Sequence, residues 1–283
     1  MTFRETVLSG DVQGALLTPE SPGDLGVVVL AGSSGRVDVA RAKLFATRGA
    51  VTIALRWFGG EGQVPGICEV PLETFKLATS RIIEEGCKKI AYVGTSKGAE
   101  AALLTAIDDP RVDYVIAISP SSVVWANIGV GRDGIEWPQR SSWTREGAQL
   151  PFIAYDVSHQ PGQREGLTSY RSRHEQSLVT YAADLAEASI PVEKARAEIL
   201  LVAGGDDALW PSDTFASSIA DRLKVAGKNA VLVHHPEAGH RVLLPGETTP
   251  RSSLHSHGGN DIADRELGNA AWNAISKLLN LGV

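Results

Sequence analysis

Short apolar runs alternate with longer amphipathic stretches along most of this 283-residue chain. Val27 to Leu30 precedes a helical stretch from Val39 to Thr47, and Val51 to Leu55 precedes another from Leu72 to Glu85. Runs that are apolar throughout are typical of parallel strands buried on both faces by helices. Four further strands and three further helices are predicted at Ile90 to Val93, Ala99 to Ile107, Tyr114 to Ile118, Ile199 to Ala203, Asp213 to Ala226, Ala230 to His234 and Ile262 to Leu279. The pattern predicts an α/β fold with six strands in a mostly parallel central sheet flanked by helices.

One long stretch interrupts this alternation just after the strand that ends near Ser119. From Ser121 to about Pro191 the sequence contains Trp125, Trp137 and Trp143 among several prolines and glycines. Ligands of open α/β sheets bind beyond the carboxyl ends of the strands, so an insertion at this place would cover a pocket. We interpret residues 121–191 as a lid or cap-like segment within a single catalytic domain that spans residues 1–283. A purely structural excursion is the alternative.

Composition excludes several classes of protein. The chain is 43% hydrophobic and 21% charged, which suits one large globular domain, and its net charge of -6 with scattered basic residues argues against a nucleic-acid partner. Cys68 and Cys87 are too isolated for a zinc site and fit a reducing compartment. Residues Met1 to Thr6 lack the profile of a signal peptide, and no apolar run approaches the roughly 18 residues of a membrane span. We expect a cytoplasmic protein, whose oligomeric state the sequence leaves open.

The pentapeptide Gly94-Thr95-Ser96-Lys97-Gly98 lies between a predicted buried strand and a predicted helix rich in small residues. In this context a G-x-S-x-G motif is typical of a nucleophile elbow, in which a strand turns sharply into a helix and presents a serine at the apex. The flanking glycines are needed where strand and helix nearly touch. The pattern predicts Ser96 as a nucleophile, against the alternative of a serine in an ordinary loop.

A serine hydroxyl needs a histidine to take its proton and a carboxylate to orient that histidine. In α/β-hydrolases both follow the serine along the chain, first the acid and then the histidine, at the ends of later strands. One later strand runs into Gly204-Gly205-Asp206-Asp207, and the last strand leads to Gly239-His240. We therefore predict His240 as the base and prefer Asp207 to Asp206 as the acid, with Asp206 bracing the loop.

Two backbone amides are expected to form an oxyanion hole for the charge on the attacked carbonyl. One is the amide of Lys97, directly after the nucleophile, and the other is the amide of Ser33 or Ser34 in the loop that follows the first predicted strand. Small residues in that loop, Ala31 to Gly35, allow the backbone to approach an acyl group. The elbow, acid, histidine and loop together predict the α/β-hydrolase fold.

Other polar residues have simpler interpretations. Asp213 falls in the first turn of a helix, where it complements the helix dipole, with Ser212 as a plausible cap. His255 and His257, with Asp261 nearby, are spaced like metal ligands, but an H-x-H pair in a polar loop is usually exposed to solvent. We predict no metal site and no cofactor.

Several stretches resemble the carboxy-terminal catalytic domain shared by type I acyl-CoA thioesterases and bile acid-CoA:amino acid N-acyltransferases. These stretches are Gly94 to Glu100, Ser119 to Trp125, Ser142-Trp143 with Leu150-Pro151-Phe152, Gly205-Asp206-Asp207 with Trp210-Pro211-Ser212, and Gly239-His240. The resemblance implies Ser96 as nucleophile, Asp207 as acid and His240 as base, acting on an acyl thioester of coenzyme A or of a related carrier. Larger members carry an amino-terminal β-sandwich domain, for which this chain leaves little room.

Substrate contacts are expected from two groups of side chains. Trp125, Trp143 and Trp210 are candidates to line the acyl chain, with a place in the core as the alternative. The cations of Lys97, Arg36 and Arg241 are candidates for the phosphates of coenzyme A, with ordinary surface charge as the alternative.

Serine at the apex favours hydrolysis, because the transferase branch of the family uses cysteine there. Three other functions remain open. They are an esterase or lactone hydrolase of the dienelactone-hydrolase type, a thioesterase-like acyltransferase or cyclase, and a non-catalytic ligand receptor with the same fold.

Overall fold

An eight-stranded, mostly parallel sheet forms the centre of the molecule, in a computed structural model that describes residues 2–282. In chain order the strands are β1 (Phe3–Leu8), β2 (Gln13–Pro19), β3 (Leu25–Leu30), β4 (Val51–Arg56), β5 (Val70–Pro71), β6 (Lys89–Thr95), β7 (Tyr114–Ile118), β8 (Trp143–Arg145), β9 (Ala148–Gln149), β10 (Gly162–Arg164), β11 (Leu167–Ser169), β12 (Glu198–Gly204) and β13 (Ala230–His235). The helices are α1 (Val39–Ala46), α2 (Glu73–Glu84), α3 (Lys97–Asp108), α4 (Arg171–Thr180), α5 (Leu185–Ala188), α6 (Ser212–Val225) and α7 (Asp261–Leu278). Short 3₁₀ helices lie at Ala182–Asp184 and Val192–Lys194.

The strand order in the central sheet is β1-β2-β4-β3-β6-β7-β12-β13. The six predicted strands are all present and run parallel, whereas β2 is antiparallel to both of its neighbours. Strands β1 and β2 are absent from the sequence prediction. Strand β1 mixes polar and apolar residues and is largely exposed at the edge of the sheet, and β2 has only the three-residue apolar run from Ala15 to Leu17. Neither shows the longer apolar run that is typical of a strand buried on both faces.

Each buried strand contributes side chains to two separate cores, because successive residues of a strand point to opposite faces of the sheet. In β3, Val28 and Leu30 pack with helices α2, α3 and α6 on one face. Val27 and Val29 pack with α1 and α7 on the other. Because these strands are parallel, their carboxyl ends meet along one edge of the sheet. The loops that carry Ser96, Asp207 and His240 emerge at this edge.

The predicted insertion lies between β7 and β12 and contains β8 to β11, α4 and α5. Part of it belongs to the main body, since β8 pairs in parallel with β5 and Trp143 packs in the main core against Trp57 and Phe75. Another part has a small core of its own, formed by Val123, Trp125, Ile153, Ala188, Trp210 and Phe215. The insertion is therefore joined to the main core at β8. Its small core packs against Trp210 of the acid loop, which is residues 205–211 between β12 and α6, and against Phe215 of α6.

None of the helices within residues 2–282 combines the length and the apolar character that crossing a bilayer requires.

Candidate active site

Ser96 lies at a sharp turn between β6 and α3. Its backbone has φ 57° and ψ -122°, a conformation that costs about 1–3 kcal/mol for a residue with a side chain. The glycines on either side allow this close approach. A β-carbon on Gly94 would lie 2.1 Å from the carbonyl oxygen of Gly98, and one on Gly98 would lie 2.6 Å from the carbonyl oxygen of Leu30. Helix α3 begins at Lys97, two residues before the predicted start, because the strand turns into the helix with only Ser96 between them.

Asp207, which follows β12, makes a direct contact with His240, which follows β13. Asp207 Oδ2 lies 2.7 Å from His240 Nδ1 and accepts a second hydrogen bond, 2.6 Å long, from the Ser212 hydroxyl. Asp207 Oδ1 accepts from the backbone amides of Leu209 and Trp210 at 2.9 and 3.3 Å. The Asp207 side chain is fully buried. Four donors therefore hold the carboxylate, and the carboxylate in turn orients the imidazole.

The backbone of His240 is held on both sides. Its amide donates to the carbonyl oxygen of His257 at 2.8 Å, and its carbonyl oxygen accepts from the Ser119 hydroxyl at 3.0 Å. The preceding amide, of Gly239, donates to Asp264 Oδ1 at 2.9 Å. His240 Nε2 is buried and makes no hydrogen bond within residues 2–282, to Ser96 or to any other group. Nucleophile–base hydrogen bonds are often long without substrate, so this geometry is compatible with a general base.

The loop after β3 lies beside Ser96. A β-carbon on Gly32 would lie 3.1 Å from Ser96 Cβ and 3.6 Å from Ser96 Oγ. Ser33 and Ser34 follow Gly32 on the exposed side of this loop. Lys97 is the first residue of α3, a position whose amide has no partner within the helix. The structure therefore brings Gly32 of this loop and the start of α3 close to Ser96, and the assignment of the oxyanion-hole amides stays a prediction.

Comparison with protein families decides the relationship of this chain. Residues 70–279 match the sequence model of the family described as BAAT / Acyl-CoA thioester hydrolase C terminal. The chain belongs to this family. The match runs from the start of β5 to the residue that follows α7, and it includes Ser96, Asp207 and His240.

Individual relatives agree with the family and with the fold. The chain is 25% identical to human acyl-coenzyme A thioesterase 6, over 96% of this chain and 63% of the relative. It is 28% identical to acyl-coenzyme A amino acid N-acyltransferase 2 of Rattus norvegicus, over 86% of this chain and 55% of the relative. The chain thus spans little more than half the length of these proteins. A solved esterase from Pyrococcus furiosus is 11% identical with a TM-score of 0.57, covering 99% of this chain and 94% of the esterase, and shows the shared α/β-hydrolase fold.

In this family member Asp206 and Asp207 have different partners. Asp206 forms a two-pronged ion pair with Arg164 of β10, with both contacts at 2.6 Å, and accepts from the amide of Gly259. This hydrogen-bonded pair lowers the pKa of Asp206. Only Asp207 reaches His240. Of the two candidate carboxylates, the structure brings Asp207 and not Asp206 into contact with the imidazole.

Arg164 and Arg171 of the insertion hold the acid loop from outside. Arg171 Nη1 donates to the carbonyl oxygens of Gly205 and Asp207 at 3.2 and 3.1 Å. No sequence motif marks either arginine, because each contacts a loop about 40 residues further along the chain. The insertion therefore braces the loop that carries Asp207.

The prediction for Ser212 is wrong. Pro211 occupies the cap position of α6, and Ser212 is the first residue of that helix. The Ser212 hydroxyl donates to Asp207 Oδ2 instead of to a helix amide. A serine beside a helix start is compatible with either partner, and the approach of the acid loop determines which one it finds.

The three tryptophans predicted to line an acyl chain lie at different places. Trp210 packs edge-on against His240, with ring centroids 5.8 Å apart. Trp125 stacks on Tyr155 within the small core of the insertion. Trp143 lies in the main core and has no exposed surface. Its position therefore agrees with the alternative interpretation, a place in the core.

The cations proposed for phosphate binding are also paired within the protein. Lys97 is fully buried, with Nζ 2.7 Å from Glu100 Oε2, so its side chain does not reach solvent as a phosphate ligand must. Arg241 is almost buried and pairs with Asp261 and Asp264. Arg36 pairs with Asp38 at 2.9 Å, and its side chain is 46% exposed. Of the three, Arg36 has the most accessible charge.

A cleft of about 500 Å³ opens beside the carboxyl end of β4. Trp57, Val64, Pro71 and Leu77 form its apolar wall, and Gln13 and Arg132 lie at its polar side. Ser96, Asp207 and His240 do not line this cleft. We therefore do not assign it to the acyl chain.

His255 and His257 are not part of a metal centre in the structure, since residues 2–282 contain no group of three or more histidine, cysteine or acidic side chains placed to hold an ion. The ring of His257 lies 5.9 Å from that of His240. Burial, with a smaller contribution from the charge of His240, lowers the pKa of His257 to about 4.

His174 of α4 is a buried histidine enclosed by aromatic rings. Trp125, Tyr155 and Trp210 surround it with ring centroids 4.7, 5.5 and 5.7 Å away, and its Nδ1 lies 3.0 Å from the carbonyl oxygen of Tyr170. Burial lowers the pKa of His174 from 6.5 to about 4. His174 therefore stays neutral at any pH above this value while the protein is folded.

His174 is expected to make the fold sensitive to acid. Between pH 6.5 and 4 the unfolded chain binds a proton at His174 that the folded chain does not, so the free energy of unfolding decreases as the pH falls through this window. The contribution is about 3 kcal/mol. Urea denaturation at pH 7.0, 5.5 and 4.5 measures it, and His174→Phe should flatten the dependence. His159→Phe, in a loop of the insertion, serves as the control, and equal slopes for His174→Phe and the wild type would contradict the prediction.

Proposed function

We propose that this chain is a serine hydrolase that cleaves acyl thioesters of coenzyme A or a related carrier through Ser96, His240 and Asp207. The 2.7 Å contact between Asp207 Oδ2 and His240 Nδ1 carries the proposal, in a chain of the thioesterase and acyltransferase family whose elbow holds a serine. A buried acid–histidine pair beyond an elbow serine is the arrangement that acyl transfer requires.

Before acylation the proton of the neutral imidazole lies on His240 Nδ1, which donates a hydrogen bond to Asp207. This tautomer leaves the lone pair of Nε2 free to take the proton of Ser96 Oγ as the oxygen attacks the thioester carbonyl. The amides of Lys97 and of Ser33 or Ser34 would hold the resulting oxyanion. Removing one such donor typically costs about 10²- to 10³-fold in kcat.

Collapse of the tetrahedral intermediate breaks the carbon–sulfur bond. The thiolate leaves with the proton that His240 took from the serine, and the acyl group remains as an ester on Ser96. Water then enters, His240 Nε2 accepts one of its protons, and the hydroxide attacks the acyl carbon. When the second intermediate collapses, the carboxylic acid departs and Ser96 regains its proton from His240.

The nucleophile determines the acceptor in this proposal. An oxygen ester on Ser96 is less readily attacked by an amine than a cysteine thioester, so water is the favoured acceptor. An esterase acting on oxygen esters would use the same residues, and the resemblance of the fold to a solved esterase makes it the second candidate.

The decisive experiment measures thiol release from short-, medium- and long-chain acyl-CoAs beside hydrolysis of p-nitrophenyl esters of matched chain length. We expect kcat/KM for at least one acyl-CoA to exceed that for its matched oxygen ester, because binding of the carrier adds to the same acyl chemistry. Ser96→Ala is the control for background hydrolysis. Turnover of oxygen esters alone would contradict the thioesterase assignment, and transfer to glycine in preference to water would favour the acyltransferase.

A further inference from the structure

Lys97 and Glu100 form a buried ion pair in the first turn of the nucleophile helix α3. Lys97 Nζ lies 2.7 Å from Glu100 Oε2, and neither side chain has any exposed surface. The ammonium also lies 5.3 Å from the centre of the Trp143 ring. A buried pair of this kind loses much hydration and needs further hydrogen bonds to persist. The proposed triad and oxyanion hole use neither side chain.

Those further hydrogen bonds come from the insertion. Glu100 Oε1 accepts from Trp143 Nε1 at 2.6 Å and from the backbone amide of Trp125 at 3.1 Å. Glu100 thus joins the first turn of α3 to two points of the insertion. The Trp125 indole nitrogen in turn donates to Ser121 Oγ at 2.9 Å, which extends the network to the loop after β7.

The same turn of helix carries the nucleophile and an oxyanion-hole amide. The backbone amide of Glu100 donates to the carbonyl oxygen of Ser96 at 3.2 Å, and the amide of Lys97 is the proposed oxyanion donor. A carboxylate in this turn without a countercharge would oppose the negative charge that develops on the substrate oxygen. The ammonium of Lys97 cancels that charge at a distance of 2.7 Å.

We propose that the Lys97–Glu100 pair is a charge-balanced positioning device that fixes Trp125 and Trp143 of the insertion to the nucleophile helix and keeps the oxyanion hole free of an opposing charge. This inference rests on the proposed serine-hydrolase function. Lys97 then has two separate roles: its amide binds the oxyanion, and its side chain neutralises Glu100. The pair acts through position and electrostatics and touches no reacting atom.

Loss of the charge balance should change how kcat depends on pH. The other titratable groups that face the pair are Tyr155 and His174, both from the insertion. Burial raises the pKa of Tyr155 and lowers that of His174 to about 4, so both stay neutral from pH 5 to 10. In Lys97→Met the carboxyl of Glu100 would lie buried without a countercharge. An ionised Glu100 carboxylate would then oppose the oxyanion, so the ratio of kcat in Lys97→Met to kcat in the wild type should decrease as the pH rises.

The test compares Lys97→Met, Glu100→Gln, the double variant and Asp108→Asn. Asp108 is the matched control, because its 2.7 Å ion pair with Arg145 also joins α3 to the insertion, but at the opposite end of the helix. We expect Lys97→Met to lower kcat about 10- to 100-fold at pH 8 with KM changed less than about threefold. The double variant should recover about tenfold over Lys97→Met, because it removes the carboxylate charge as well, and Asp108→Asn should stay within about twofold of the wild type.

Labelling of Ser96 by a fluorophosphonate distinguishes this inference from the proposed function. Labelling rates that follow the expected order of the variants, without turnover of any thioester, would contradict the substrate assignment and leave the positioning role supported. A double variant no better than Lys97→Met, or an equal loss in Asp108→Asn, would overturn the positioning role. If the single variants do not fold, the labelling rates of the double variant and of Trp143→Phe, each compared with that of the wild type, still test the role. Trp143→Phe keeps an aromatic ring, smaller than the indole, and removes the Nε1 donor to Glu100. An unchanged labelling rate in both variants would also overturn the role.

Discussion

Replacing Ser96 by alanine is expected to lower kcat about 10⁴- to 10⁶-fold for every ester and thioester that the protein turns over. Alanine removes only the hydroxyl oxygen. It keeps the β-carbon at the φ of 57° that the elbow imposes, so the backbone cost is the same in both chains and the loss reports chemistry alone. Thiol release and p-nitrophenolate release under substrate saturation measure the effect, and a fluorophosphonate should leave the variant unlabelled.

Ser80→Ala provides a matched control for this substitution. The Ser80 hydroxyl donates to the carbonyl oxygen of Lys76 within α2, remote from the elbow. The control should retain the wild-type kcat. A Ser96→Ala enzyme with more than about one hundredth of the wild-type kcat would show that another group acts as nucleophile.

Replacing Asp207 by asparagine is expected to lower kcat about 10⁴-fold. The asparagine amide fits the same space as the carboxylate. The carboxylate accepts a hydrogen bond from His240 Nδ1, whereas the amide can present an N–H donor there, which favours the other tautomer of His240. The proton then lies on Nε2, and the imidazole cannot act as a base toward Ser96. The pH profile of kcat/KM, together with circular dichroism to establish folding, measures this effect.

Asp206→Asn tests the assignment with the same change one residue earlier. It weakens the ion pair with Arg164 but leaves the contact between Asp207 and His240 in place. We expect kcat within about tenfold of the wild type and a modest loss of stability, since the pair is partly exposed. A larger loss of kcat in Asp206→Asn than in Asp207→Asn would reverse the two roles.

The fold was largely predictable because five of its six parallel strands, β3, β4, β6, β7 and β12, are buried along most of their length, and the sixth, β13, begins with an apolar run although it lies at the exposed edge of the sheet. Their apolar runs can be recognised from the local sequence alone. Strands β1 and β2 escaped prediction because their residues mix polar and apolar types and because their pairing is set by neighbours that are distant in the chain, as in the register between Gln13 and Arg56.

The positions of Ser96 and His240 were predictable for a related reason, since each follows a strand that the sequence makes recognisable. The sharp turn at Ser96 requires glycines at positions 94 and 98, and these glycines mark the turn in the sequence itself. The partners of these residues carry no comparable mark. Arg164, Arg171 and Ser212 support the acid loop through contacts that a sequence pattern does not encode.

By itself, the sequence determined the parallel α/β architecture, the sharp turn at Ser96 and the places of Asp207 and His240 after later strands, because these follow from hydrophobic patterning and from glycines at required positions. Only the tertiary structure decided that Asp207 rather than Asp206 contacts His240, and that the Lys97 side chain turns inward to Glu100 instead of outward to solvent. The physical reason is distance along the chain. Trp143 donates to Glu100 from 43 residues away, and His240 meets Asp207 across 33, so each side chain takes its direction from segments that only folding brings together.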